Sequence, residues 1–367
     1  MRPITIFLTA VGCPGAHDLI RCLKYNGERE IKIVGTDILD EVGGRFFVDA
    51  YYKISPSKDE EKYIKDILNI LKKEKIDIFF PQSSSDVIPV SKNLNLLKKN
   101  CGQILLCDYE TIETCDNKNK MVSFFSGSGI PLPKTIRCEN IDQFRNAVYE
   151  LGYPEHDVCF KPAQSKGARG FRILSSREDK YNTMLFDKTE NTKFTLEECL
   201  EVFKQKVSIP ELLVTEFIDA EEVTFDAFCE NGEVRLGFLK TRERVRSGLA
   251  MYFKIVDEPQ LVDHSHKIIK QLDFNYFINI QFRGGKLMEI NPRISTMLHQ
   301  PDFNMPYLSL KYYLGEIPKE ELSKYSISPN RRTVRYYTQV NYDFRDGCCD
   351  NVMRELNVTT LADPFYM

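Results

Sequence analysis

Residues 279–293 read Asn279-Ile280-Gln281-Phe282-Arg283-Gly284-Gly285-Lys286-Leu287-Met288-Glu289-Ile290-Asn291-Pro292-Arg293. Two strand-forming runs flank a glycine pair, which predicts a β-hairpin. Its register decides the reading, because side chains alternate along a strand and a one-residue slip sends a whole set to the other face. A two-residue Gly284-Gly285 turn pairs Gln281 with Met288 and turns Glu289 away. A three-residue loop, Gly284-Gly285-Lys286, pairs Gln281 with Glu289 instead, and is the preferred reading. It puts Gln281, Glu289 and Asn291 on one face and leaves Phe282, Met288 and Ile290 for a core. Three oxygen donors with one carboxylate cannot enclose a metal alone, but magnesium commonly takes one or two carboxylates and completes its shell with water and substrate phosphates. Arg293, just beyond, offers a fork for a phosphate oxygen.

Upstream, Val223 to Cys229 and Val234 to Leu239 flank Asn231-Gly232, a strong signal for a tight hairpin. Leu212 to Ile218 reads as a strand that runs into the acidic stretch Asp219 to Glu222, after a charged connector at 178–194 and a helix at 195–207. Val158 to Pro162 and Phe171 to Leu174 read as strands on either side of a glycine-containing loop, 163–170. This half is therefore α+β. The basic run Lys240 to Gly248, with Arg242, Arg244 and Arg246, reads as a loop after a strand.

The first 110 residues have a different texture. Ile4 to Ala10 is a buried-strand pattern followed by a Gly-Cys-Pro-Gly turn and a helical spacing of Leu19, Ile20 and Leu23; Ile31 to Gly35, Lys58 to Lys73 and Ile76 to Phe80 continue the alternation of strand and helix. Such alternation implies an open α/β domain with a parallel sheet. Gly12-x-x-Gly15 with Asp37 after the second strand invites a nicotinamide-dinucleotide reading, but the third glycine of that fingerprint is missing, and a tight strand-to-helix turn is the preferred reading. The extended Gly129-Ile130-Pro131-Leu132-Pro133 link then follows a boundary near residue 110.

At 367 residues the chain exceeds a single hydrophobic core, and its near-neutral balance, net charge −3 with 42% apolar and 28% charged residues, argues against nucleic acid as a partner. No apolar run approaches the length of a membrane span. Eleven scattered cysteines fit reduced thiols of a cytoplasmic protein. His264-x-His266 lies on a predicted helix, where residues two apart do not face each other, so zinc is not expected. Ser83-Ser84-Ser85 has no evident base, so a serine nucleophile is not expected either.

Lys118, Lys161, the loop 164–170, Glu216, Glu222, Gln281, Glu289, Asn291 and Arg293 occur in the order seen in the ATP-grasp superfamily, and the chain most resembles its carbamoyl-phosphate-synthase-like members over residues 1–310. The resemblance implies a Rossmann-like leading (pre-ATP-grasp) domain at 1–110, ATP-grasp α+β subdomains at 111–195 and 196–310, and an extension of unassigned role at 311–367. It implies ATP and magnesium as cofactors, with manganese as an alternative metal. Lys118 and Lys161 would face the nucleotide phosphates, and Gly167, Arg169 and Gly170 would lie on a flap over them. The backbone of Glu216, Phe217 and Ile218 would meet adenine, and Glu222 the ribose. Gln281, Glu289 and Asn291 would hold the metal; Arg242, Arg246 and Arg293 would act near the transferred phosphate. The implied activity is a carbon–nitrogen ligase that joins a small-molecule carboxylate to an amine or other nucleophile through an acyl phosphate, with a homodimer compatible. A nucleotide-binding regulatory or scaffold protein without turnover, and a nicotinamide-dependent oxidoreductase, are the alternatives. Gln281 stands where many superfamily members carry a carboxylate, which lowers the expected charge of the metal site.

Overall fold

The computed structural model describes residues 1–163, 170–186, 192–246, 249–294, 299–300, 303–336 and 339–341. Five short strands open the chain: β1 (Ile4–Leu8), β2 (Ile31–Asp37), β3 (Ala50–Lys53), β4 (Ile78–Phe80) and β5 (Gln103–Ile104). They form a parallel sheet in the order β3-β2-β1-β4-β5. Strand order reverses between β1 and β4, the switch point beside which open α/β sheets place their ligand crevices. The helix Glu60–Glu74 that follows β3 starts on the side chain of Asp59, which accepts from the Lys62 amide, and buries Tyr63, Ile64, Ile67, Ile70 and Leu71 on one face.

The second sheet contains β6 (Thr135–Cys138), β7 (Val158–Pro162), β8 (Arg172–Leu174), β9 (Lys193–Phe194) and β10 (Leu212–Glu216), in the order β6-β10-β7-β8-β9. β7 and β8 are antiparallel, as expected for strands on either side of a flap. Gly167 and Arg169 lie outside the described residues. The stretch 178–194, expected to be a charged connector, contains the helix Lys180–Phe186 and β9. The helix expected at 195–207 spans Leu196–Phe203 and opens with a Thr195–Glu198 capping box, in which each side chain bonds the other residue's amide. The boundary expected between residues 195 and 196 falls inside this unit: β10 sits between β6 and β7, so the sheet continues to Glu216.

The third sheet is antiparallel: β11 (Glu222–Glu230), β12 (Glu233–Thr241), β13 (Glu243–Arg246), β14 (Leu249–Val256), β15 (Tyr276–Arg283) and β16 (Lys286–Asn291), ordered β13-β14-β12-β11-β15-β16. Asn231 and Gly232, both at positive φ, make the expected two-residue turn between β11 and β12. The basic run after Lys240 is not a loop. It enters β13, which folds back on β14. The strand Arg332–Val334 adds to the outer edge of β14, so the extension contributes a strand to this sheet.

Packing explains how the sheets meet. The apolar face of β11, β15 and β16 (Val223, Phe225, Ile278, Ile280, Phe282, Leu287, Ile290) shares one core with Phe7, Phe79, Tyr63 and Ile67 of the leading unit, and with Met121 and Phe125 of the helix Lys118–Phe125. The second sheet has a separate core around Phe144, Phe160 and Val214. The polar face of the third sheet is thus held by a large core behind it, while the second sheet is a distinct unit beside it.

Candidate functional site

Gln281 lies opposite Glu289, and Asn279 opposite Asn291. The pairing matches the expectation, but the route to it does not. Arg283 pairs with Lys286 and Phe282 with Leu287, so the turn is the two-residue Gly284-Gly285 form, with both glycines at positive φ. An irregularity at Gln281/Phe282 then skips Met288 and restores Glu289 to the polar side, as a β-bulge does by inserting one residue. Leu287, fully buried, therefore takes the core place expected for Met288, which is only half-buried.

Alternation now puts Glu222, Thr224 and Asp226 of β11, Lys240 and Arg242 around the end of β12, Asn279, Gln281 and Arg283 of β15, and Glu289 and Asn291 of β16 on one face. Lys118 begins its helix just after Asn117, whose side chain caps the Asn119 and Lys120 amides. With that helix anchored by Met121 and Phe125, the Lys118 Nζ reaches Glu289 Oε2 at 2.9 Å. Lys161, near the end of β7, stands beside Lys118. Burial above all, and then the Lys118 charge, lower its pKa to about 7. Burial opposes charge at Lys118 too, but Glu289 and Lys161 outweigh it and hold its pKa above the ordinary lysine value. Glu289 is held below the ordinary carboxylate range: burial alone would raise it, and Lys118, Lys161 and Arg242 overcome that.

The Glu222 carboxylate accepts from Arg242 Nη1 at 2.5 Å and from Arg283 Nη2 at 3.2 Å. Three cations (Lys118, Arg242, Arg283), joined by Lys161 when it is protonated, thus face two carboxylates (Glu222, Glu289), an excess of positive charge that suits a polyanion. The Glu216 side chain accepts from Lys286 Nζ at 2.6 Å and from the Lys134 amide at 2.7 Å. Those two donors, against the effect of burial, hold it below the usual range. Phe217 and Ile218 continue from β10 toward β11, and a Cβ on Gly284 would come within 2.8 Å of Ile218 Cγ2, so the hairpin turn braces this connector. Gly170, at φ +74, packs on Pro162, where a Cβ would lie 2.6 Å from Cδ.

Arg293 lies close enough to Glu289 to feel its charge, whereas Arg246 lies apart. Arg293 sends Nε to Ser84 Oγ at 2.8 Å and Nη1 to the Ile294 carbonyl at 3.0 Å, so its fork is engaged at the switch point of the leading sheet. The neighbouring Cys13 thiol is pushed up to about 11, by burial first and then by Asp86, which keeps it out of the thiolate form at neutral pH. Arg246 is exposed at the far end of β13 from Arg242. Asp37 is engaged within the fold as well. It accepts from the Gly12 amide at 2.8 Å and the Leu39 amide at 3.2 Å, so it ties the strand-to-helix turn to the end of β2.

Sequence reading missed Asn279, Asp226, Lys240, Thr224 and Arg283. The signal was present, since Asp226 stands within Phe225–Cys229 and Lys240 follows Phe238 and Leu239, and buried charges at such places need partners. Lys240 is wholly buried, bonded to Asp226 and set over the rings of Phe238 and Phe253.

The donor set fits a magnesium ion that arrives with a polyphosphate. Gln281 Nε2 and Asn291 Nδ2 both donate to Asn279 Oδ1, at 3.3 and 3.2 Å, so each amide directs its carbonyl oxygen away from Asn279. Thr224 Oγ1, flanked by Gln281 and Lys240 on the neighbouring strands, is a buried oxygen without a hydrogen-bond partner among the described residues. Among the described residues no three His, Cys, Asp or Glu side chains form a metal-binding group.

Parts of the chain are similar to known proteins. Residues 208–338 match the family model described as ATP-grasp in the biosynthetic pathway with Ter operon. The chain is 25% identical over 254 residues to the carbamoyl phosphate synthase large chain of Clostridium acetobutylicum, covering 64% of this chain and 21% of that one. Against the same protein of Methanobrevibacter smithii it is 25% identical over 241 residues, covering 62% and 22%. The chain thus spans about a fifth of the length of these relatives. The biotin carboxylase domain of the Hydrogenobacter thermophilus 2-oxoglutarate carboxylase, solved with MgADP, ADP and bicarbonate, superposes with a TM-score of 0.60 at 15% identity, covering 85% of this chain and 70% of that one. An L-amino acid ligase from Bacillus licheniformis superposes with a TM-score of 0.57 at 14% identity, covering 87% and 77%. Residues 208–338 thus match an ATP-grasp family model, and the chain is similar to part of the carbamoyl phosphate synthase large chain. Among the described residues no helix is long and apolar enough to cross a membrane.

Proposed function

We propose that this protein is an ATP- and magnesium-dependent ligase that activates a small-molecule carboxylate as an acyl phosphate and passes the acyl group to an amine or another nucleophile. The observation that carries the reading is the convergence of Lys118 from one helix, Lys161 from the second sheet and Glu289 with its two amides from the third sheet. In the first step a substrate carboxylate oxygen attacks the γ-phosphorus of ATP and ADP leaves; in the second the nucleophile attacks the acyl carbon and inorganic phosphate leaves. Lys118, Lys161 and Arg242 would offset the charge that spreads over the phosphoryl oxygens. Magnesium, bound by Glu289, Gln281 and Asn291 together with phosphate oxygens, would polarise the transferring group. The backbone of Phe217 and Ile218 would meet the adenine edge. Glu222, already turned by two arginines, would accept from the ribose. The leading sheet acts as the Rossmann-like domain of this architecture, and its switch-point loops bring Ser84 and Cys13 to Arg293, at the edge where an acyl acceptor would approach.

The test is ADP release from ATP-magnesium over pooled carboxylic acids and amines, amino acids first and bicarbonate in a separate well. A substrate-dependent signal names the substrate class. ATP binding without ADP release across the panel would favour a regulatory protein instead. A thermal shift with NAD(P) and none with ATP would favour the oxidoreductase.

A further inference from the structure

Beneath the three proposed metal ligands lies a chain of buried groups that no resemblance assigned. Lys240 is bonded to Asp226, and the two side chains are respectively 0% and 2% exposed. Asp226 Oδ1 accepts from Asn279 Nδ2 at 3.0 Å. Asn279 Oδ1 accepts from both Gln281 Nε2 and Asn291 Nδ2. Each bond sets the direction of the next. An ionised carboxylate can only accept, so Asn279 must turn its nitrogen toward Asp226. Its oxygen then faces Gln281 and Asn291, and each of these must turn its own nitrogen inward. Their carbonyl oxygens, the only atoms of an amide that ligate a hard cation, are left directed away from Asn279.

We infer that Asn279, oriented by the buried Asp226–Lys240 pair, is a positioning residue that sets which atom of Gln281 and Asn291 is presented to the metal. The inference rests on the metal-site reading above and adds the reason why two amides serve where a carboxylate could stand. A carboxylate presents oxygen whichever way it rotates, whereas an amide presents the wrong atom half the time unless something holds it. The buried Lys240–Asp226 pair thereby acquires a function: it maintains the acceptor that starts the sequence of orientations.

The test uses Mn2+ as the probe, with free Mn2+ followed by electron paramagnetic resonance in the presence of ATP and the whole chain, and ATP binding without metal followed by thermal shift in EDTA. Asn279→Leu is expected to lower Mn2+ affinity in the ternary complex at least about tenfold, while metal-free ATP binding stays within about twofold. Adding Gln281→Glu to Asn279→Leu is expected to recover most of the lost affinity, because a carboxylate needs no orienting partner. If Asn279→Leu does not fold, the paired Asp226→Asn, Lys240→Met variant releases the same constraint without leaving a buried charge, and is expected to weaken Mn2+ at least about threefold. Mn2+ affinity within twofold of wild type in a folded variant would overturn the inference. A loss that Gln281→Glu does not rescue would also overturn it, marking Asn279 as merely structural. Wild-type protein that binds ATP but takes up no Mn2+ would overturn the metal-site reading itself, an outcome distinct from the others.

Discussion

Lys118 and Glu289 lie 171 residues apart in the chain and 2.9 Å apart in the structure, so the nucleotide-facing cation and the only carboxylate of the proposed metal set neutralise one another before any ligand arrives. Binding of a metal–nucleotide complex would exchange this contact for two stronger ones, phosphate on Lys118 and metal on Glu289. Replacing Lys118 by alanine is therefore expected to weaken ATP about tenfold or more, the loss of one charge-assisted hydrogen bond of about 1.5–3 kcal/mol. Isothermal titration calorimetry measures it. Wild-type affinity in this variant would remove Lys118 from the site.

Glu289→Gln keeps the shape and one carbonyl oxygen but deletes the charge that recruits the metal. ATP should still raise the melting temperature, with weaker dependence on magnesium, while ADP release slows at least about a hundredfold with any substrate identified. Turnover at the wild-type rate would place the metal on other residues.

Lys161 predicts a pH dependence. Its pKa is lowered to about 7 by burial and by Lys118, against an ordinary value of 10.5. Between those values the unfolded chain binds the proton and the folded chain does not, so this group makes stability rise with pH across that window and is an undiminished cost below it. Phosphate would favour the protonated form. ATP affinity should fall as pH rises from 6 to 9, by no more than about tenfold per unit, and binding at pH 8 should take up protons, seen as a dependence of calorimetric heat on the buffer. Lys161→Arg, charged throughout, should flatten the profile. An equal slope in both proteins would show that Lys161 is not the titrating group.

Gly284 has φ +54, and a Cβ there would meet Ile218 Cγ2 at 2.8 Å. Gly284→Val should lower stability by about 1–3 kcal/mol, the usual cost of a side chain held at positive φ, and weaken ATP several-fold by displacing the Phe217–Ile218 connector. Gly285→Ala, at φ +78 but with open space around its Cβ, should share the loss of stability and leave ATP affinity near wild type. Chemical denaturation and calorimetry on the two variants separate the effects. Equal ATP affinities would detach the turn from the adenine-facing backbone.

Much of this architecture was legible in sequence because it is local. The alternation of strand and helix before residue 110, the Asn231-Gly232 turn and the same-face set Gln281, Glu289, Asn291 all follow from spacings of two or 3.6 residues and from turn chemistry. The resemblance that named Lys118 and Lys161 was carried by the same local motifs. Tertiary structure decided what depends on distant partners. A bulge that skips Met288 restored a register that a two-residue turn alone would have broken, and Leu287 went to the core because apolar groups lay behind it. Arg293 turned to Ser84, and Glu216 to Lys286, because a charged side chain takes the nearest partner the fold offers. The Lys240–Asp226–Asn279 chain joins three strands, and no spacing within one strand reports it. A sequence states which groups can donate, accept or ionise; which pairs meet is settled when sheets dock and burial leaves each polar group few alternatives.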